Sequence, residues 1–133
     1  MPVTTNIDGN VKITFWVAAG AAVADYDGLL WISDGEYELI DAAERHGTAG
    51  AAANIQVFKV PSGTAKVAGT NMLVSAGFSA AAVANTVVVI LPSATLANTR
   101  LTRGDAVGIE LSAASAALDA VTVSVRLKAR SGV

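Results

Sequence analysis

General acid–base or nucleophilic chemistry needs a group held near its working pKa, most often a histidine next to a carboxylate. The chain has one histidine, His46, in the run Ala43-Glu44-Arg45-His46-Gly47. A functional reading makes His46 a base assisted by Glu44. The competing reading places it at the end of a strand, at the mouth of a polar glycine-containing loop. The second is favoured, because no nucleophile elbow, phosphate loop or dinucleotide fingerprint occurs anywhere in the sequence.

Metal chemistry is limited in the same way. A transition metal asks for several imidazole or thiolate ligands, and one histidine with no cysteine cannot supply them. Asp25, Asp27, Asp34 and Glu36 offer the oxygen ligands calcium takes, yet their spacing is not that of a calcium loop, so they read as solvated carboxylates. No metal, catalytic residue or cofactor is expected. The tripeptide Arg103-Gly104-Asp105 has the letters of an adhesion motif. It stands where a turn must lead into Val107, Ile109 and Leu111, so the turn reading is preferred.

The elements that would position such residues are strands. Val11, Ile13, Phe15 and Val17 alternate with Lys12, Thr14 and Trp16. Val121, Val123, Val125 and Leu127 alternate with Thr122, Ser124, Arg126 and Lys128, which describes a strand with one dry and one wet face. Between them lie Leu29–Ser33, Glu36–His46, Asn54–Val60, Asn71–Phe78, Thr86–Leu91 and Ala106–Ser112. Turn residues such as Asp8-Gly9-Asn10, Ser33-Asp34-Gly35 and Pro61-Ser62-Gly63 separate them. About eight short strands at this spacing predict an all-β protein, an antiparallel β-sandwich of jelly-roll type. The alanine clusters are about a turn long each and read as loops.

Residues 1–10 are polar and lack periodicity, which predicts an extended N-terminal arm able to reach a neighbour, followed by a single domain over residues 11–133. The N-terminal stretch lacks the basic and apolar regions of a secretory signal. Residues 72–91 are long enough for a membrane span, but Ser75, Ser79, Asn85 and the β-branched run Thr86–Ile90 favour strands. Neither a membrane nor a nucleic-acid partner is expected, since the net charge is −2 and the nine Lys and Arg are dispersed. Alternation puts Trp16 opposite Phe15, so one of the two faces away from the core, and an outward Trp16 suggests a subunit interface. The run Thr86–Leu91, hazardous on a free edge, is expected to be a central or interface strand.

The succession His46-Gly47-Thr48-Ala49-Gly50, the stretch Pro61–Leu73, Ala84–Pro92 and Leu101-Thr-Arg-Gly-Asp-Ala-Val107 resembles the small capsid decoration, or cement, proteins of tailed bacteriophages and prophages. The resemblance runs over residues 43–112 and Leu118–Ala129. It implies a homotrimer on the outer capsid surface of a virion assembled in the bacterial cytoplasm. The partner would be the major capsid protein, clamped between capsomers. The contacts assigned by position are Pro2, Val3 and Ile7 of the arm, with Trp16. A head-fibre component or a module binding a host surface or carbohydrate is the alternative.

Overall fold

The period-two runs form the centre of the larger of two sheets. The computed structural model describes residues 2–7, 10–17, 26, 29–113, 115 and 118–130. Strand β1 (Pro2–Ile7) turns back onto β2 (Asn10–Val17), and β3 (Leu30–Ile32), β4 (Tyr37–Arg45) and β5 (Asn54–Val60) follow. Three short strands come next, β6 (Thr70–Asn71), β7 (Phe78–Ser79) and β8 (Val88–Ile90). A four-residue helix, α1 (Leu96–Thr99), leads to β9 (Arg100–Leu101), β10 (Ala106–Leu111) and β11 (Val121–Ala129).

All pairing is antiparallel. One sheet runs β1-β2-β11-β4-β8 with β9 also on β4, and the other runs β3-β10-β5-β6 with β7 also on β5. If β6 and β7 are counted as one position and the two-residue β9 is left out, the strands from β2 onward number eight. The first, eighth, third and sixth then share one sheet, and the second, seventh, fourth and fifth share the other. That interleaving is the double Greek key of a jelly roll.

The core lies between the sheets. Val11, Ile13, Phe15 and Val17 of β2 face inward beside Val121, Val123, Val125 and Leu127 of β11. Ile55 and Val57 of β5 with Val107, Ile109 and Leu111 of β10 face them from the other sheet. Burying one such aliphatic side chain stabilises by about 1.5–3 kcal/mol, so a core with few aromatics relies on number. Phe15, Phe78 and Tyr26 are its largest fully buried side chains.

Three expectations need correction. Residues 2–7 are extended, as expected of an arm, but they pair with β2 along their whole length, Pro2 opposite Phe15 and Ile7 opposite Asn10. The run Thr86–Leu91 supplies only β8, which among the described residues has β4 as its one strand neighbour and ends the sheet, so of the two expected places the central one is excluded. Asn71–Phe78 is not one strand: β6 and β7 flank a turn-rich segment in which Gly77 takes φ +129. There a Cβ would stand 2.5 Å from the Ile55 carbonyl oxygen, so only glycine lets the chain pass.

Residues 72–91 hold strands, bends and turns. No helix among the described residues is long and apolar enough to cross a membrane.

Candidate functional site

A β-bulge in β4 decides where the carboxylate and the histidine go. Against β11 the register runs Ala42 to Val125 and Asp41 to Arg126, then jumps to Leu39 opposite Leu127, leaving Ile40 as the extra residue. Before the bulge Tyr37 and Leu39 face the core; after it the inward positions are Ala42 and Glu44. A charged side chain thereby enters the interior, and His46 follows it.

Glu44 and His46 are 2 % and 1 % exposed, so neither is the solvated loop residue that the sequence suggests for His46. The two Glu44 carboxylate oxygens lie 2.7 and 2.9 Å from His46 Nδ1. His46 Nε2 lies 2.9 Å from the Ala82 carbonyl oxygen. A carbonyl only accepts, so Nε2 carries a hydrogen and donates it. Burial opposes the charge on His46, but the hydrogen bonds it makes to Glu44 and Ala82 outweigh it and raise the imidazole above its ordinary range. Burial raises Glu44 as well, with the hydrogen bond to His46 working against it. Both ring nitrogens are occupied and the group is closed to solvent, so this carboxylate–histidine pair has a tie-bar's geometry.

The Arg103-Gly104-Asp105 tripeptide is a turn. Asp105 is 8 % exposed, and its carboxylate accepts from the Thr102 amide at 2.9 Å and from the Thr102 hydroxyl at 3.2 Å. Gly104 takes φ +95, and its N–H reaches the Ser33 carbonyl at 3.0 Å. The Ser33 N–H in turn donates to the Asp105 carbonyl at 2.7 Å. Arg103 remains exposed, while the aspartate that an adhesion receptor would need is engaged internally.

Of the four carboxylates considered for calcium, Asp25 and Asp27 lie outside the described residues. Asp34 accepts a hydrogen bond from the Tyr37 hydroxyl at 2.6 Å, and Glu36 is paired with Arg130. No cluster of three or more potential metal ligands occurs among the described residues.

The two sheets differ in what covers their outer faces. On the smaller sheet, Lys66 from a 3₁₀ turn (Lys66–Ala68) lies across Gly108, donating to the Tyr26 carbonyl and standing 3.3 Å from Glu110. Ala106 and Gly108 of β10 are buried beneath this cover although they point away from the core.

The larger sheet is open. Phe15 is fully buried, and Trp16, on the opposite side of β2, is 44 % exposed. Across the sheet Trp16 pairs with Thr122 and Thr122 with Arg45. Next to this row is a shallow depression of about 260 Å³ between β11, β4 and β8, lined by Ala43, Glu44, Arg45, Val87, Thr122 and Ser124.

At β8 the alternation sends Val88 and Ile90 against the core and leaves Val87, Val89 and Leu91 more than half exposed. Val74 joins them, its N–H bonded to the Leu91 carbonyl at 3.0 Å. Among the described residues nine large apolar side chains are exposed, and all but Trp16 and Ile32 come from residues 67–99, where the sequence has no charged residue. The charge-free segment is where the sequence leads one to expect apolar surface on a single subunit, and the exposed side chains lie there. Of the contacts expected from position, Trp16 faces outward, whereas the side chains of Pro2, Val3 and Ile7 lie outside the described part of the structure.

The chain matches no family model, no curated protein and no solved structure.

Proposed function

We propose that this protein is a structural virion component that decorates and stabilises the capsid of a tailed phage, bound as a trimer to the major capsid protein between capsomers. The reading rests on the resemblance of residues 43–112 to decoration proteins and is supported most by the surface of β8. An uncharged apolar strand edge is a hazard for a protein that works alone, and assembly with identical or related subunits covers it. Trimer formation would place Val87, Val89, Leu91 and Val74 out of water. The jelly roll supplies a stiff body, and the open outer face of the larger sheet, with Trp16 and Arg45, supplies a second surface for the shell.

The alternative, a head-fibre or carbohydrate-binding module, draws on the exposed Trp16 with the hydroxyls of Thr14, Thr122 and Ser124 on the same face, since an indole beside hydroxyls suits a sugar ring. The two readings separate on mixing purified protein with undecorated phage shells and sedimenting them. The capsid reading expects the protein to pellet with shells and to raise their resistance to heat. Protein that stays in the supernatant but binds host cells or polysaccharide would replace it with the alternative.

A further inference from the structure

We propose that Glu44 and His46 form a proton-holding latch: one proton shared between them keeps residues 81–87 fastened to the end of β4, and its loss releases that segment. The inference concerns the fold and does not depend on the capsid reading.

The geometry requires the shared proton. His46 Nε2 must carry a hydrogen to meet the Ala82 carbonyl. The contact between Nδ1 and the Glu44 carboxylate, at 2.7 Å, therefore holds either an imidazolium against a carboxylate or a neutral imidazole against a carboxylic acid. The pair is neutral in both forms. Removing the proton sets a carboxylate against an imidazole lone pair in a site 1–2 % exposed, where water does not screen it. Opening the site to solvent relieves that, so opening and proton release are linked.

The consequence is local. Residues 81–87 leave an anchored start, where Ala80 exchanges backbone hydrogen bonds with Ala53 and Gly50. Apart from the bonds that Ala81 and Ala82 make back to Ser79, the hydrogen bonds that tie them to other elements before β8 begins, among the described residues, run to Arg45 at the end of β4 and to His46 just beyond it. Ala82 accepts from His46 Nε2, the Asn85 N–H donates to the His46 carbonyl at 2.7 Å, and Arg45 reaches the Asn85 side chain at 3.4 Å. Asn85 holds φ +59, a turn that needs such support. Val83 and Val87 of this segment, with Val89 just beyond, are exposed, so the latch sets the shape of the apolar edge.

Few other charges bear on the pair. Arg45, next in β4, is exposed and turned to Asn85. Asp119, before β11, bonds the Gly47 N–H through its backbone carbonyl. Glu44 stands opposite Val123 of β11 and Val88 of β8, and residues 80–90 contain no ionisable side chain. Nothing on these elements competes for the proton.

His46 is the sole histidine in the chain, so its ring can be followed by NMR in the unmodified protein. The expected result is a ring whose signals stay constant through the ordinary histidine range, about pH 6.5, and change only at higher pH. Between about pH 6.5 and that transition the protection of the Asn85 amide against hydrogen exchange, corrected for intrinsic base catalysis, should fall by about tenfold per pH unit and level off above it. Glu44→Gln should move the transition down by about one unit or more. A histidine that titrates near the free-imidazole value overturns the proposal, as does Asn85 protection that stays level from about pH 6.5 up to the His46 transition.

Discussion

The Asp105 carboxylate accepts the amide hydrogen of Thr102, three residues earlier, and that bond closes the turn delivering the chain into β10. The same carboxylate lies 3.9 Å from Lys59 Nζ on the neighbouring strand. Asp105→Ala removes both hydrogen bonds that a buried carboxylate accepts from Thr102 and should cost about 1–3 kcal/mol. Arg103→Ala, at an exposed position, should stay within about 0.5 kcal/mol of the parent. Urea denaturation of both variants checks the contrast. A receptor-binding tripeptide would instead lose adhesion on Asp105→Glu with little regard to stability.

Breaking the Glu44–His46 pair from one side strands a buried polar group. Glu44→Ala should destabilise by about 3–5 kcal/mol, and the double variant Glu44→Leu with His46→Leu should recover a substantial part of that loss. A double variant no more stable than Glu44→Ala, measured by thermal unfolding, would contradict the role given to the unpaired group.

The pH dependence follows from the same pair. Glu44 and His46 both hold their protons more tightly folded than unfolded, so the folded state binds the more protons as pH rises. The His46 contribution is fully present below about pH 6.5, the value of the unfolded imidazole, and is lost as pH rises through the higher folded value. Asp41 acts at the other limb: its hydrogen bond to Arg126 holds its carboxyl below the usual range, and that contribution is lost as pH falls through the lowered value. Thermal midpoints should therefore decline on the alkaline side, and Glu44→Gln should flatten that decline.

Gly77 and Gly63 both have positive φ, but only Gly77 is also crowded, by the Ile55 backbone. Gly63 has open space around it. Gly63→Ala should cost about 1 kcal/mol for the backbone alone, and Gly77→Ala clearly more, about 2–4 kcal/mol. Equal losses in denaturant titrations would show that the close approach of residues 55 and 77 is not maintained.

Val89→Asp tests the strand edge. Val89 is 55 % exposed, so the folded subunit tolerates a charge there, with a stability change of about 1 kcal/mol or less. Association through the edge does not tolerate it. The variant should remain folded by circular dichroism and sediment as a monomer.

Much of the fold is legible from alternation alone. Residues 54–60 form β5 with the bounds expected, and the inward sets of β2 and β11 are those read from period two. What escaped was set by pairing. The bulge at Ile40 is hidden because Leu39, Ile40, Ala42 and Ala43 are all apolar, so nothing local marks where the phase changes and Glu44 turns inward. Whether Thr86–Leu91 lies at the centre of a sheet or at its edge is hidden for a related reason, since a valine-rich run looks the same in both places. His46 was visible as a candidate, but its burial depends on Ala82, 36 residues away in the chain.

The most direct test of the account is the mass of the purified protein in solution, by light scattering over a range of concentrations. With a subunit of 13.4 kDa, covering the β8 edge by self-association predicts a stable species of about 40 kDa, a trimer. A 13.4 kDa monomer at every concentration would leave that edge bare and contradict the assembly on which the proposed function depends.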